Sequence, residues 1–494
     1  MNILLVYPKY PDTFWSFKHI LKFLAKKATY PPLGLLTVAA MLPQEWNLKL
    51  IDENIEALRD EHIVWADMVF VSAMIIQKDS AQEIINWSKA RGKKVVAGGP
   101  VFTTQADYFR GVDHFVLNEA EVTLPLFLDD LKKGKAKSLY ISQERPDITQ
   151  TPLPLWSLID NKNYAVMSLQ YSRGCPFNCE FCDIVVMNGR VPRQKSSEQM
   201  IRELQSLYES GWRGSLFIVD DNFIGNKVRV KEMLPKLIKW QKDRKYPFRL
   251  ITEASTNLAD DEELMQMMSA ANFYKVFLGI ETPCVDSLKE CGKMQNAARN
   301  LAEAVKVIQQ NGMQVMGGFI VGFDSDPAGI FDAQIKFIQK VGVVTAMVGV
   351  LTALPRTRLW HRLKAEGRLL GETTGGNTDG VLNFKPKMDR EKLIAGYKKI
   401  LASIYSRKNY YQRINTFLKN YQPTVRSKIT RDDLRAFFVS IWKIGFVSRA
   451  CFLYWKLIIK TFFTKYKALP VAVELAITGL HLEKISQKVI NGQE

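Results

Sequence analysis

The sequence predicts an α/β protein in which two parallel βα units are followed by a basic, mainly helical segment. Three observations lead to this fold class. Short apolar runs alternate with stretches of helical periodicity over most of the chain, which is typical of parallel sheets covered by helices. Proline-rich sequence separates the two units, and 494 residues accommodate several domains. The excess of positive charge lies near the C-terminal end.

The first unit, residues 1–132, is predicted to be a doubly wound, Rossmann-like domain. Its candidate strands and helices are Asn2–Tyr7, Leu33–Leu42, Leu48–Ile51, Met68–Val71, Ala81–Ala90 and Lys94–Ala97. The first strand stops at Pro8, too short for a signal peptide or a membrane span. Ligands of such sheets bind at the carboxyl ends of the strands. No G-x-G-x-x-G or Walker sequence is present to indicate a nucleotide.

Residues 133–163 are predicted to be a linker. The segment is charged at first and is then punctuated by Pro146, Pro152 and Pro154. Proline clusters of this kind mark breaks between regular elements. We therefore expect an extended segment that crosses the surface before the second unit.

The second unit, residues 164–384, is predicted to repeat the βα pattern. Its candidate strands and helices are Ser197–Ser210, Leu216–Asn222, Leu250–Ser255, Asp260–Ala270, Val276–Thr282, Val315–Gly322 and Ala346–Pro355. In parallel barrels, chemistry gathers at the C-terminal strand ends, where Glu253 and Glu281 fall. Asp220, Asp221 and Asn222 also follow a strand, and the pattern leaves open whether they contact a ligand or cap the next helix.

Three cysteines lie together at the start of this unit. Cys175, Cys179 and Cys182 have C-x3-C-x2-C spacing, and the aromatic Phe181 precedes the third. Three thiolates can hold three irons of a four-iron cluster and leave the fourth iron open for chemistry. A structural zinc site would need a second short Cys/His pair, which is absent, and disulfides would leave one cysteine unpaired. The spacing therefore predicts an open-site [4Fe-4S] cluster.

This motif and the strand pattern after it resemble the radical S-adenosylmethionine (SAM) superfamily. The resemblance implies a partial (β/α)6 barrel in which SAM binds the open iron and is cleaved to a 5′-deoxyadenosyl radical that abstracts hydrogen. It assigns no catalytic residue beyond the cofactor ligands. The SAM contacts that it implies are Phe181, Asp221, Glu253, Ser255, Glu281, Gly318, Ile320 and Gly322.

In that context the first unit resembles the cobalamin-binding domain of the family's methylase class. The motif D-x-H-x-x-G, which supplies a histidine below cobalt in other cobalamin proteins, is absent, and Asp52–Ile55 offers no imidazole. A Rossmann-like scaffold without a ligand is the alternative. The cobalamin contacts that the resemblance implies are Pro32, Leu33, Gly34, Ser72, Met74, Gly98, Gly99 and Glu119.

The third region, residues 385–494, carries most of the net charge. From 391 onward it has 19 Lys and Arg against 6 Asp and Glu, a net of +13 out of +18 for the chain. On one continuous helix, Arg449, Lys456, Lys460 and Lys467 would align within about 20°. These charges recur too often for a transmembrane span. The pattern predicts either a helix in the membrane interface or a packed helical domain with lysines at its surface. No RNA-binding module is recognisable.

The resemblance implies methylation of an unactivated carbon, in which one SAM supplies the methyl group through cobalamin and a second supplies the radical. The residues resemble most the branch that contains the hopanoid methylases, with the bacteriochlorophyll methylases as relatives. We expect an apolar polycyclic substrate, an electron donor such as flavodoxin or ferredoxin, and a cytoplasmic protein with peripheral contact at the inner membrane. Alternatives are a tetrapyrrole side-chain methylase, a cyclase or rearrangement enzyme, a non-enzymatic cofactor-binding protein and a transfer-RNA modifier. The resemblance rests on Phe14–Phe17, Tyr30–Leu35, Ala39–Pro43 and Asp220–Asn226.

Overall fold

Two six-stranded parallel sheets organise the chain, one in each of its first two units. A computed structural model describes residues 1–376, 378–424, 426 and 429–492. Helices cover the sheets, and five further helices form the C-terminal part. The predicted α/β fold class is confirmed.

The N-terminal sheet has the strand order β2-β1-β3-β4-β5-β6. Its first strand is buried from Ile3 to Val6, because helices lie on both faces of a doubly wound sheet. The four predicted strands are confirmed to within one residue at each end. The strands are β1 Asn2–Tyr7, β2 Asn47–Asp52, β3 Met68–Ser72, β4 Lys94–Gly98, β5 His114–Val116 and β6 Leu139–Tyr140. The helices are α1 Lys18–Leu24, α2 Leu33–Met41, α3 Asp60–Trp65, α4 Lys78–Ala90, α5 Pro100–Gln105 and α6 Ala120–Lys132.

The segment that the sequence assigns to a linker is more than a spacer. Its residues Leu139–Tyr140 form β6, which pairs with β5 at the edge of the N-terminal sheet. Further along, Trp156 and Thr151 are buried. The Leu155 N–H donates to the Leu36 carbonyl oxygen at 3.0 Å. Strands of two or three residues give too little periodicity to be recognised in the sequence.

The second sheet has the order β7-β10-β11-β12-β13-β14, with β7 and β14 as its unpaired edges. This open arrangement matches the partial barrel that the resemblance implies. Strands β8 and β9 form a small separate antiparallel pair. The strands are β7 Met167–Leu169, β8 Ser172–Arg173, β9 Arg193–Gln194, β10 Gly214–Ile218, β11 Phe248–Ala254, β12 Phe273–Glu281, β13 Gln314–Val321 and β14 Ala346–Val350. The helices are α7 Ile184–Asn188, α8 Ser197–Glu209, α9 Lys227–Asp243, α10 Glu262–Ala270, α11 Val285–Glu290, α12 Met294–Ala297, α13 Leu301–Gln310, α14 Ile330–Val341 and α15 Arg358–Ala365.

The C-terminal part is a packed helical domain. Its helices are α16 Arg390–Ile404, α17 Arg407–Asn420, α18 Arg431–Ser440, α19 Cys451–Lys465 and α20 Leu469–Asn491. Helix α20 packs against α1, α16, α17 and α19, and His481 Nε2 lies 3.0 Å from the Phe14 carbonyl oxygen. Among the described residues, no helix is sufficiently long and apolar to pass through a bilayer.

The sequence suggested one continuous helix from Arg449 to Lys467, and this prediction is wrong. Helix α19 spans only Cys451–Lys465, and a short 3-10 turn separates it from α20. Pro470 lies in the first turn of α20, a position where proline favours the start of a new helix. The four basic residues therefore do not form a single straight stripe.

Candidate active site

The three cysteines of the motif lie in the loop between β8 and α7, and all three are half-buried and free. The thiols of Cys175 and Cys179 are close enough to Cys182 to influence the pKa of its thiol. Burial raises the pKa of each of the three thiols. Bound iron replaces these protons, so the cysteines can be thiolates when the cluster is in place.

The three thiols of the motif are compatible with a cluster. Among the described residues, no three His, Cys, Asp or Glu side chains converge on a position that could hold one metal ion. A four-iron cluster does not require such convergence, because each thiolate binds a different iron. The three cysteines therefore fit the predicted [4Fe-4S] cluster, with one iron left without a protein thiolate.

Asp221 holds the start of this loop in place. Its carboxylate accepts hydrogen bonds from the Gly174 N–H at 2.7 Å and from Asn188 Nδ2 at 2.9 Å. Gly174 has φ of +95°, and a Cβ there would lie 3.0 Å from the Val191 carbonyl oxygen. Only glycine tolerates both conditions. The carboxylate that the resemblance assigns to SAM is therefore bound to the cluster loop.

Asp220 has a related role one residue earlier. It accepts from the Tyr171 N–H at 2.7 Å and from Ser172 Oγ at 2.6 Å, just before the loop. Burial raises its pKa to about 7. The alternative that these residues cap the next helix is wrong, because Asn226 accepts from the Arg229 N–H as the cap of α9.

Asn222 links the loop to the next strand of the barrel. Its Nδ2 lies 3.8 Å from Cys175 Sγ and 3.2 Å from Ser255 Oγ. Ser255 Oγ donates in turn to Asn257 Oδ1 at 2.6 Å. Ser255 is thus linked to the cluster loop through Asn222, which the sequence also places after a strand, and its SAM contact stays a prediction.

Glu119 joins the N-terminal domain to the cluster loop. Its carboxylate accepts from Arg173 Nη1 at 2.8 Å and from Arg193 Nη2 at 2.8 Å, and Glu121 pairs with Arg173 at 2.7 Å. Burial would raise the pKa of Glu121, but Arg173 outweighs it and lowers the pKa to about 2. The carboxylate of Glu119, which was predicted to contact cobalamin, therefore binds these arginines.

A second arginine fastens the far end of the motif. Arg362 of α15 donates to both oxygens of Glu180, at 2.7 and 3.0 Å, and to Asp324 at 3.0 Å. The Glu180 N–H also donates to the Cys291 carbonyl oxygen at 2.8 Å. Bidentate Arg–carboxylate pairs fix orientation as well as distance. The segment 173–182, which contains the three cysteines, is thus anchored at both ends.

Glu281 and Lys293 form a buried ion pair beside the cluster. Both side chains influence the pKa of the Cys179 thiol, which Lys293 lowers and Glu281 raises. Burial alone would lower the pKa of Lys293, but Glu281 outweighs it and raises this pKa. Glu281 has φ of +65°, a strained conformation for a residue with a side chain and one that clusters at functional sites. Glu281 therefore lies beside Cys179, its SAM contact stays a prediction, and Lys293 is a partner that sequence reasoning missed.

The remaining predicted SAM contacts lie around the same strand ends. The Phe181 and Phe323 rings are 6.2 Å apart, which packs the motif's aromatic against the loop after β13. A Cβ at Gly318 would lie 3.0 Å from Phe277 Cζ, and one at Gly322 would lie 3.2 Å from Leu393 Cδ2. The half-buried Ile320 lies between these glycines. Neighbouring side chains therefore explain why glycine, which has no Cβ, occupies both positions.

Glu253 differs from the other acids because no described group forms a hydrogen bond or ion pair with its carboxyl. Burial has the largest effect on the pKa of Glu253, and the nearby carboxyls of Asp221 and Asp220 act in the same direction. Together they raise this pKa to about 8. An acid without partners in such surroundings is neutral below that pH. Its side chain is half-buried and remains accessible to a ligand.

Several of the predicted cobalamin residues lie at the carboxyl ends of strands of the N-terminal sheet. Ser72 and Gly98 end β3 and β4, and Gly99 has φ of +93° with its would-be Cβ only 2.5 Å from Ser72 Oγ. By contrast, a Cβ at Gly34 would meet nothing within 4 Å. Met74 is exposed, and Pro32 and Leu33 begin α2. Of the three glycines, Gly34 alone has open space beside its backbone, and the cobalamin contacts stay predictions.

A cavity of about 500 Å³ lies inside the barrel and reaches its base, where Gly214 and Arg249 line it, and its lining also includes Tyr30 of the N-terminal unit. Alternate residues of β11 mark its length, because side chains two apart share a face of a strand. Arg249 lies at the base and Ile251 in the wall, whereas Glu253, the next residue on this face, lies beyond the lining and near Asp221. The apolar wall is formed by Trp15, Phe17, Phe217, Ile251, Phe277 and Met316.

The charged residues of the cavity lie at its base, mostly in pairs that tie the C-terminal helices to the rest of the protein. Arg249 pairs with Asp433 at 3.1 Å. Lys275 pairs with Glu474. A third pair joins Lys26 and Asp432 at 3.1 Å. The interior is left to aromatic and aliphatic side chains, which is typical of sites for apolar small molecules.

Three regions of the chain match known family models. Residues 25–128 match the B12 binding domain, residues 169–333 the radical SAM superfamily, and residues 357–494 a domain of unknown function. An uncharacterized methyltransferase of Synechocystis is 44% identical over 92% of this chain and 86% of its own length. The hopanoid C-2 methylase of Rhodopseudomonas palustris is 33% identical over 92% of this chain and 88% of its own length. The chain belongs to the cobalamin-dependent radical SAM methylases.

Solved structures share the fold of this methylase. The cobalamin-dependent SAM radical enzyme OxsB with aqua-cobalamin bound has a TM-score of 0.66 at 14% identity, covering 99% of this chain and 80% of that one. The radical SAM methyltransferase TsrM from Kitasatospora setae, with cobalamin and a [4Fe-4S] cluster bound, has a TM-score of 0.63 at 13% identity, covering 97% and 99%. The cofactors of the methylase are thus the [4Fe-4S] cluster, SAM and cobalamin, as predicted.

Proposed function

We propose that the methylase transfers a methyl group to an unactivated carbon of an apolar polycyclic lipid of the hopanoid type. The observation that carries this proposal is the apolar cavity of about 500 Å³ inside the barrel. A cavity of this size is in the range that holds a small-molecule ligand. The similarity to the hopanoid C-2 methylase supports the choice of lipid.

The residues of this chain supply binding and positioning for the reaction. When bound, the cluster and SAM supply a 5′-deoxyadenosyl radical, and cobalamin carries the methyl group. Cys175, Cys179 and Cys182 hold the cluster, and the anchored loop keeps it in place. Aromatic walls exclude water, which protects a carbon radical from side reactions.

The proposed reaction balances with two electrons for each methyl group transferred. One SAM gives methionine and the 5′-deoxyadenosyl radical, which takes a hydrogen atom from the substrate C–H bond and leaves as 5′-deoxyadenosine. A second SAM gives up its methyl group and becomes S-adenosylhomocysteine. A new C–CH3 bond replaces the C–H bond. We propose that flavodoxin or ferredoxin supplies the electrons, in the cytoplasm.

We propose SAM contacts at Phe181, Glu253, Ser255, Glu281 and the segment Gly318–Gly322. Glu253 is supported by its unpartnered, accessible carboxyl near the cluster end. Cobalamin contacts are proposed at Pro32–Gly34, Ser72, Met74 and Gly98–Gly99, which include the carboxyl ends of β3 and β4. Asp221 and Glu119 act through the loop that they hold rather than by contact with a cofactor.

The experiment that tests this function is an anaerobic assay with reconstituted cluster, cobalamin, SAM, reduced flavodoxin and a hopanoid. We expect a methylated hopanoid, with S-adenosylhomocysteine and 5′-deoxyadenosine in equal amounts. Formation of 5′-deoxyadenosine without S-adenosylhomocysteine would indicate a cyclase or rearrangement enzyme instead. Bacteriochlorophyllide serves as the second substrate, since bacteriochlorophyllide methyltransferases are also relatives. Methylation of the pigment alone would contradict the lipid assignment.

A further inference from the structure

We propose that the C-terminal domain docks on an anionic phospholipid bilayer through an exposed aromatic surface at the mouth of the cavity. This inference deepens the proposed function, because it names the place from which an apolar lipid substrate enters. It rests on four features of the described residues: aromatic exposure, helical spacing, charge, and continuity with the cavity.

Exposed aromatic side chains are confined to one part of the molecule. Single exposed apolar residues are common on any protein, but a concentration of them marks a contact surface. All the Phe, Trp and Tyr residues that are exposed in the described part of the chain lie between positions 438 and 466. They are Phe438, Trp442, Phe446, Phe452, Phe462, Phe463 and Tyr466, named below as the aromatic surface.

Helical spacing arranges these residues in two stripes. The first runs every four residues along α18 and the π-helical turn that follows it, and the second runs along α19. Residues four apart share a helix face. The Phe446 and Trp455 rings, 6.1 Å apart, join the two helices. The first stripe is Leu434, Phe438, Trp442 and Phe446. The second is Phe452, Ile459 and Phe463.

The charge around the aromatic surface has a single sign. No acidic residue occurs between Asp433 and Glu474. Six exposed basic residues lie in this interval, and among the described residues none of them pairs with a carboxylate. Aromatic side chains with basic residues around them suit the interface of an anionic bilayer. The six are Arg435, Lys443, Arg449, Lys456, Lys460 and Lys467.

The aromatic surface is continuous with the mouth of the cavity. Leu434 begins the first stripe and also lines the cavity. Ile429, another exposed lining residue, precedes α18, and Lys467 lines the cavity next to Tyr466. A lipid that leaves a bilayer at this surface can therefore enter the barrel from its base without crossing water, while the cofactors act at the opposite end.

Vesicle co-sedimentation of the full-length holoenzyme tests the inference. We expect binding to vesicles of phosphatidylglycerol and phosphatidylcholine, and weaker binding to phosphatidylcholine alone. The double variant F452S/F463S removes side chains that are 74% and 80% exposed. It should weaken binding about tenfold or more without loss of folding. The matched control V64S/V228S changes side chains that are 59% and 67% exposed elsewhere and should bind like the wild type. Equal binding of F452S/F463S and the wild type would overturn the inference.

Two further measurements separate this inference from its competitors. In sedimentation velocity without lipid, we expect a monomer; a dimer that F452S/F463S abolishes would assign the surface to a second copy of the chain and overturn the bilayer. With hopanoid as substrate, F452S/F463S should lose turnover of vesicle-embedded substrate and keep turnover in detergent micelles. If the wild type binds vesicles but methylates no hopanoid in micelles, the substrate proposal fails and bilayer docking stands.

Discussion

The two ends of the barrel are built from opposite chemistry. At the cluster end, carboxylates and arginines hold the motif at both of its ends, as Asp221 does through the Gly174 N–H and Arg362 does through Glu180. At the other end, apolar side chains wall the cavity, and the charged residues that line its base are mostly paired, as Arg249 is with Asp433. Cofactor chemistry requires fixed geometry, whereas an apolar substrate is bound by shape and by removal of water.

The largest expected effect is at the cluster end. Cys179→Ala removes one of three thiolates, so we expect bound iron to fall sharply and 5′-deoxyadenosine to drop below detection. Iron analysis and product chromatography measure both. Cys451→Ala is the matched control, since this half-buried cysteine lies in the C-terminal helices. If Cys451→Ala also lost its iron, cluster binding would not depend on the motif cysteines alone, and the two regions would not be distinguished.

Arg173→Gln tests whether the ion network holds the cluster end to the N-terminal domain. The change leaves two buried carboxylates short of a partner, so we expect the free energy of unfolding to fall by about 3 kcal/mol at pH 7. Urea denaturation of the apo-protein measures it. Lys133→Gln breaks an exposed surface pair with Asp129 and should leave the free energy of unfolding nearly unchanged.

The same variant has a pH dependence with a defined sign. Arg173 lowers the pKa of Glu121 in the folded protein to about 2, below its value in the unfolded chain. The stabilisation is therefore complete above about pH 4.5 and is lost as the pH falls toward 2. The difference between the wild type and Arg173→Gln should shrink between pH 5 and pH 3. A constant difference would contradict this assignment.

Glu253→Gln tests the boundary between the polar end and the apolar interior. Because burial raises the pKa of Glu253 to about 8, the folded protein holds a proton there that the unfolded chain releases. Wild-type stability should therefore fall as the pH rises from about 4.5 to 8, by about 2 to 4 kcal/mol more than in the variant. Thermal denaturation at pH 5 and pH 8.5 compares the two. Parallel pH profiles would show that Glu253 is ionised in the fold.

The smallest effect is expected from filling the cavity. Ile251→Trp adds bulk to the wall without touching the cluster loop. We expect KM for the lipid substrate to rise about tenfold, or about 1.4 kcal/mol. SAM cleavage without substrate should stay unchanged. Ile251→Val, which leaves the cavity open, is the control. A loss of SAM cleavage in Ile251→Trp would show that the two ends are not separate.

Much of the fold could be predicted because buried parallel strands are continuous apolar runs, as β1 and β13 show. The short strand β5 and the edge strand β6 were missed because two or three residues carry no periodicity. Helix α19 was predicted too long, since a helical wheel does not register the breaks on either side of Cys451–Lys465. The aromatic surface was visible in the sequence as composition, and only the packing of α18, α19 and α20 determined which rings are exposed.

The cysteine spacing, the two βα patterns and the local positive charge were determined by the sequence alone, because each depends on residues that are close along the chain. The partners of Asp221, the Glu281–Lys293 pair and the network of Glu119 were decided only by the tertiary structure. These contacts join residues from different strands and domains. A buried charge needs a partner, and the fold decides which residue lies beside it. The cavity is likewise a property of the assembled barrel and C-terminal helices.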